Sequence, residues 1–284
     1  MPLVRMLDVL EPALKKGYAV GAFNADNLEM VQAFVNAAET ERSPLILQVS
    51  QGAIEYAGFE QVATVARFMA ENATVPIVVH LDHGKDYPQN VRALRAGVSS
   101  LGVDASMLPY EENVSVSRKV ADLAHYAGLH AEAGIGYVPA YQEGLSELEV
   151  EGAKTDPDVA EKFVRETGAD FVAVALGSMR SMRKREVVLD IDRLKELRQH
   201  VSVPFVLHGS SGVLWESIQE AIQLGVAKVN LAACFDRRFT EVLRQTLDED
   251  LEGFNFRRFL APAREAVMEL AREQYRLLGS AQQV

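Results

Sequence analysis

The sequence predicts an α/β fold, specifically a (β/α)8 TIM barrel with an extra C-terminal helical segment. Three observations carry this expectation. Eight short runs rich in small and β-branched residues recur along the 284 residues, and most are apolar on both faces, as strands of a helix-covered parallel sheet must be. Longer segments with helical spacing separate them, which gives repeated β-α units. No G-x-G-x-x-G turn follows the first run, which weakens the open, dinucleotide-binding alternative.

The elements follow in order. The N-terminal MPLVRMLDVLEPALKKGYAV has a helix-like pattern with acids, and lacks the basic start and apolar block of a signal peptide. The eight strands are AVGAFNA (19–25), PLILQVS (44–50), PIVVHLDH (76–83), SSLGVDAS (99–106), HAEAGIG (130–136), FVAVALG (171–177), PFVLHGSS (204–211) and KVNLAA (228–233). Among the helices, PYEENVSVSRKVADLAHYAG (109–128) and SIQEAIQLG (217–225) each close on a glycine. Asp156 and Pro157 open another, in which Phe163 and Val164 face inward and Gly168 ends the last turn. The segment FRRFLAPAREAVMELAREQYRLL (256–278) follows the eighth unit as an extra helix or helix pair. With no linker, charge block or low-complexity tract, residues 1–284 read as one domain.

Composition narrows the function. Hydrophobic residues make up 48% and charged residues 24%, and 29 Lys+Arg against 40 Asp+Glu leave a formal charge of −11. Such a surface repels nucleic acid and leaves a small soluble partner or substrate, and the basic cluster Arg180, Arg183, Lys184 and Arg185 at the expected barrel mouth makes that substrate an anionic one. No apolar run is long enough to span a membrane, and the single cysteine, Cys234, suits a reducing compartment; together these place the protein in the cytoplasm. Phe259, Leu260 and Val267 need cover beyond the barrel, which suggests a homo-oligomer, a dimer or tetramer.

Barrels of this kind carry their chemistry at the C-terminal ends of the strands. Those ends supply Asn24, Ser50, Asp82 with His83, Asp104 with Ser106, Glu132, Arg180, His208 with Gly209 and Ser211, and Asn230. One such residue reads as a loop cap, but a polar set from eight separate segments reads as a site. His80, His125 and His130 read as packed or hydrogen-bonded structural residues. No lysine sits inside a predicted strand, since Lys228 falls at a boundary, so a Schiff-base mechanism is disfavoured.

GAFN (21–24), HLDHG (80–84), PYEENV (109–114), HGSSG (208–212), KVN (228–230) and FLAPAREAV (259–267) together resemble the class II fructose- and tagatose-bisphosphate aldolases. The resemblance implies a carbon–carbon lyase in which zinc polarises the carbonyl of a triose-phosphate unit, such as dihydroxyacetone phosphate, and stabilises its enediolate. It assigns His83 and His208 to the zinc and Asp82 to proton transfer. Gly209 and Ser211 go to the phosphate, and Asn24 and Asn230 to the substrate, while Ser50, at the end of the second strand, is read as a further substrate-binding residue.

The chain departs from that pattern at four strand ends. Arg180 stands where the family has its third zinc histidine, and arginine cannot ligate a cation. Gly134 replaces a second glutamate, Ala232 and Ala233 replace polar residues, and Met107 replaces a histidine. Zinc therefore remains possible with an incomplete site, and three readings compete. The first is a lyase acting on a small phosphorylated or carboxylated sugar, with Arg180, joined by Arg183 or Lys184, supplying the electrophile and Lys184 also binding substrate. The second is an aldolase with a rearranged metal site, in which Glu132 or Asp104 completes His83 and His208. The third is a non-catalytic sugar-phosphate-binding or partner subunit. The long segment 137–156 reads as a lid or a subunit contact.

Overall fold

A computed structural model of the chain describes residues 2–141, 146–182 and 184–284. Eight parallel strands form one sheet: β1 (Val20–Asn24), β2 (Leu45–Val49), β3 (Ile77–Leu81), β4 (Leu101–Val103), β5 (Ala131–Ile135), β6 (Phe171–Val174), β7 (Phe205–Leu207) and β8 (Val226–Leu231). They run in the order β3-β2-β1-β8-β7-β6-β5-β4. The seam between β3 and β4 is joined by the bridges His80 to Ser100 and Gly84 to Val103, so the sheet curls into a nearly closed barrel. All eight expected strands are present.

The helices are α1 (Met6–Lys16), α2 (Leu28–Glu41), α3 (Gln51–Ala57), α4 (Phe59–Asn72), α5 (Tyr87–Ala96), α6 (Tyr110–Tyr126), α7 (Glu147–Ala153), α8 (Pro157–Thr167), α9 (Ile191–His200), α10 (Trp215–Gln223), α11 (Ala233–Glu249) and α12 (Phe256–Leu277). Helix α8 starts where the sequence says it should, because the Asp156 side chain accepts from the N–H groups of Asp158 and Val159. It ends at Gly168, whose φ of 70° is open to glycine.

The barrel interior is layered by the two-residue period of its strands. A lower layer of Ala22, Ile46, Val78, Phe171 and Val206 packs on Met6 and Leu10 of α1, which plugs the N-terminal end. Two residues further along four of those segments stand Asn24, Gln48, His80 and His208. The apolar plug thus becomes a polar floor within one step of the strand period.

The extra helices α11 and α12 pack on the barrel flank near β1. Phe23, Phe34, Phe235 and Tyr275 form an aromatic cluster with ring centroids 4.7–5.3 Å apart. The Tyr275 hydroxyl donates to the Phe34 carbonyl at 3.1 Å. Buried Glu41 on α2 pairs with Arg272 and Arg276 of α12 at 2.8 and 2.6 Å. This packing corrects one expectation, since Phe259 and Val267 are covered by the chain itself and need no second subunit. Within these extra helices the exposed apolar residues lie instead around the α11–α12 turn, at Leu247, Leu251, Phe254 and Phe256.

Candidate functional site

The stretch HLDHG is shaped by how closely β3 approaches β4. A Cβ on Gly84 would lie 2.2 Å from the Gly102 carbonyl oxygen, so only glycine fits there. Just before it, His83 adopts a left-handed backbone with φ 50°, a conformation uncommon for any residue but glycine. That turn lays its ring against His208, with centroids 4.4 Å apart. Gly209 is fixed similarly, with φ 67° and an added Cβ only 2.8 Å from the Met179 backbone.

Each histidine is clamped on one nitrogen. His83 Nδ1 lies 2.7 Å from Asp104 Oδ2, and His208 Nε2 lies 2.7 Å from Glu132 Oε1. Both carboxyls are held below the usual range: burial alone would raise them, but His83 and the Ser106 hydroxyl outweigh it at Asp104, and Lys228, His208 and His80 outweigh it at Glu132. An ionised carboxylate only accepts, so a proton sits on the clamped nitrogen of each ring and the other nitrogen faces the rest of the site. His83 Nε2 then stands 4.0 Å from Asp82 Oδ2, and His208 Nδ1 accepts from Asn230 Nδ2 at 3.1 Å. Burial lowers the affinity of His83 for its proton, but Asp82 and Asp104 outweigh this and push its pKa up to about 9.

Asp82 is buried, and its Oδ1 accepts from Gln48 Nε2 at 2.9 Å and Asn230 Nδ2 at 3.1 Å. Burial would raise its pKa, but the charges of His83, Lys228 and His208 pull it below the usual value. Beneath this group, Lys228 Nζ bonds Glu132 Oε2 at 2.8 Å with no solvent exposure. This corrects the reading of Lys228 as a boundary residue: β8 begins at Val226, so the lysine lies inside the strand and inside the barrel. Sealed by Glu132, it lines neither cavity described below, so it offers substrate no amine. His80 is likewise internal, bonded to Ser100 Oγ at 2.9 Å through Nδ1. Its Nε2 lies 3.3 Å from Glu132 Oε2 without hydrogen-bond geometry.

Donor atoms of Asp82, His83 and His208 lie within 4.8 Å of one another. Two imidazoles, each braced by a carboxylate on one nitrogen and presenting the other, together with a third carboxylate, make a donor set that fits a divalent cation, zinc included, which would displace the second proton of His83. A bound cation would replace the Asn230 contact to His208. His80, Asp82 and Glu132 are grouped as closely, but the Lys228 ammonium already supplies positive charge there. Glu132 and Asp104 correct the expectation that either completes the ligand set, since both are occupied in orienting the histidines. Asp104 has room to do so because residue 134 is glycine, where a Cβ would come within 3.2 Å of Asp104 Oδ1.

Arg180 lies at the mouth, but not in an ion pair with Asp82, Asp104 or Glu132, contrary to what its charge suggests. Its Nε donates to the Val138 carbonyl at 3.1 Å, its Nη2 lies 3.5 Å from the Tyr137 hydroxyl, and its backbone bridges to Ala140. The segment after β5 is therefore tied to the segment after β6. Lys184 is exposed and does not line the main cavity, so the structure does not bring it to the site. Arg185 braces the loop after β7 through the carbonyls of Ser210 and Val213. Arg183 and residues 142–145 of the expected lid lie outside the described residues. His125 pairs with Asp170, and His130 accepts from the Leu7 N–H, as structural histidines do.

The main cavity, about 680 Å³, opens over this floor and is lined by Asn24, Ser50, Asp82, His83, Arg180, His208, Gly209, Ser211 and Asn230. It also brings in Gln48, Asp26 and Asp236, which sequence reasoning missed. Gln48 had a signal, as the one polar residue inside the run PLILQV. A smaller pocket of about 20 Å³ beside it is lined by Asp104, Ser106, Glu132 and Gly134.

The profile of a family described as "Fructose-bisphosphate aldolase class-II" matches residues 4–283. A protein named "Probable fructose-bisphosphate aldolase" from Bacillus subtilis (strain 168) is 39% identical over 287 residues, covering 100% of both chains. A fructose-bisphosphate aldolase of Geobacillus stearothermophilus is 38% identical, covering 99% of this chain and 98% of its own. The crystal structure of the YdjI aldolase from Escherichia coli K12 superposes with a TM-score of 0.87 at 33% identity, covering 99% and 98% of the two chains.

Proposed function

Because this chain belongs to the class II fructose-bisphosphate aldolase family, a family of carbon–carbon lyases, we propose that residues 1–284 act as one unit that cleaves or forms an aldol bond in a phosphorylated, sugar-like substrate. The observation that carries this reading is the convergence of Asp82, His83 and His208, with each histidine clamped by a carboxylate. His83 and His208 would hold a divalent cation. Such a cation would supply a Lewis acid that polarises the substrate carbonyl.

The remaining work falls to the chain's own side chains. Asp82, with Oδ1 fixed by Gln48 and Asn230, keeps Oδ2 on the histidine side as the group that moves the proton of the aldehyde half. Lys228 and Glu132 position His208 without touching substrate. The backbone N–H groups and hydroxyl around Gly209 and Ser211 receive the phosphate, while Asn24, Ser50 and Asn230 face the substrate chain. Arg180, whose charge is met by no carboxylate among the described residues, attracts the anionic group.

The test is aldol cleavage by protein purified without added metal, assayed with and without a chelator. Turnover that is lost on chelation, restored by zinc and absent in His83→Ala supports the reading. Turnover indifferent to chelator assigns the electrophile to Arg180. No helix among the described residues is long and apolar enough to cross a membrane, and the free thiol Cys234 suits the cytoplasm. The exposed Leu251, Phe254 and Phe256 suit a homo-oligomer contact. A single monomeric mass in light scattering over a wide concentration range would remove that last element.

A further inference from the structure

The main cavity is uneven in charge. Arg180, after β6, is the one lysine or arginine in its described lining, whereas Asp26, after β1, and Asp236, in the first turn of α11 after β8, are carboxylates. Strands β1 and β8 are paired neighbours, so the two acids share one arc of the rim. From β6 to β1 there are three strand steps, roughly 14 Å along the wall at about 4.8 Å per step. Burial first, and then the charge of Asp236, push the Asp26 carboxyl up to about 6, and burial raises Asp236, so the two acids lie close enough for one charge to oppose the other. Asp236 also occupies the positive end of α11, which would otherwise favour an anion. Ala232 and Ala233 offer no side-chain donor beside it.

We propose that this cavity selects a substrate with a single anionic group, a phosphate seated toward Arg180 and Gly209–Ser211, and an uncharged, hydroxyl-bearing end facing Asp26, Ser50 and Asp236. The proposal rests on the aldolase reading for its chemistry but on cavity charge for its selectivity. A second phosphate on the β1–β8 arc would meet two carboxylates at close range, whereas hydroxyl groups can donate to them. Asn230 Oδ1, buried with no hydrogen-bond partner, offers one more acceptor to such a hydroxyl. The selection is therefore by repulsion as much as by attraction.

The test compares acceptor aldehydes that differ only in charge. In the condensation direction with dihydroxyacetone phosphate, kcat/KM is expected to be at least about tenfold higher with glyceraldehyde than with glyceraldehyde 3-phosphate. In the Asp26→Asn/Asp236→Asn double variant that ratio should fall about tenfold or more. A wild-type preference for the phosphorylated aldehyde, or a ratio unchanged in the double variant, overturns the proposal. Calorimetric binding of a hexitol 1-phosphate and a hexitol 1,6-bisphosphate is measured in parallel. If neither aldehyde reacts, the aldolase reading fails, and these titrations still decide the charge selection: tighter binding of the monophosphate supports it, and tighter or equal binding of the bisphosphate overturns it.

Discussion

The floor and the rim of this barrel mouth are built on opposite plans. On the floor, Lys228, Glu132, His208, Asn230 and Asp82 form a continuous chain of bonds between 2.7 and 3.1 Å, anchored in a fully buried ammonium. On the rim, Arg180 is held by one carbonyl and a distant hydroxyl, while Ala232 and Ala233 contribute no polar group. The difference separates two tasks. Bond chemistry needs groups fixed before the substrate arrives, and a closed network fixes them. Substrate choice needs groups whose partner is the substrate, and an open rim leaves them free for it.

The largest break in this contrast comes from the floor. Lys228→Met should destabilise the fold by about 3–5 kcal/mol, because Glu132 would then be buried without its cation. Urea unfolding reads this directly. Glu132→Gln should weaken metal binding and turnover by about 10–100-fold through a loosened His208, while leaving substrate KM nearly unchanged. A pure rise in KM would place Glu132 on the substrate instead.

The rim should respond in the opposite sense. Arg180→Ala should raise KM for an anionic substrate by about tenfold with a smaller change in kcat, since it removes a charge contact from ground and transition states alike. Arg180→His should increase zinc affinity, readable by competition with a chromophoric chelator, and weaken binding of the anionic substrate. Loss of kcat alone in Arg180→Ala would move the arginine from rim to chemistry.

The smallest effect sharpens the electrostatic side of the contrast. The Asp26 carboxyl is raised from 3.8 to about 6 in the folded protein, so the folded state holds a proton that the unfolded chain releases. Stability therefore falls as pH rises from about 4 to 6 and remains lowered above that range. Asp26→Asn removes the penalty and should stabilise the protein by about 1–2 kcal/mol at pH 7, with the gain fading toward pH 4. An equal gain at both pH values would assign the effect to packing.

The eight strands were legible because strands buried on both faces write continuous apolar runs, and the polar residues ending those runs did gather over one floor. Less visible were partnerships across the barrel. Glu132 on β5 reaches Lys228 on β8, 96 positions away in the chain, and no local pattern announces such a pair. Lys228 itself was misplaced because a lysine reads as the edge of a strand, yet a buried carboxylate lets it sit inside. Arg180 was legible as a departure but not in its orientation, since its partners, Val138 and Tyr137, belong to a loop whose course depends on the fold. Asp26 and Asp236 read as ordinary loop and helix-start acids until the cavity joins them.

The central claim, which rests on the proposed aldolase function, is that a divalent cation held at His83 and His208 would acidify the reacting carbon of a triose phosphate, so that its proton is released to a solvent base before any aldehyde is chosen. Deuterium exchange at the reacting carbon of dihydroxyacetone phosphate in D2O, followed by NMR with no aldehyde present, isolates that step. Exchange by the wild-type protein that is lost in His83→Ala and His208→Ala, but persists in the Asp26→Asn/Asp236→Asn double variant, is the predicted result. Absence of exchange in the wild-type protein supplied with zinc, or exchange undiminished by loss of either histidine, would contradict it.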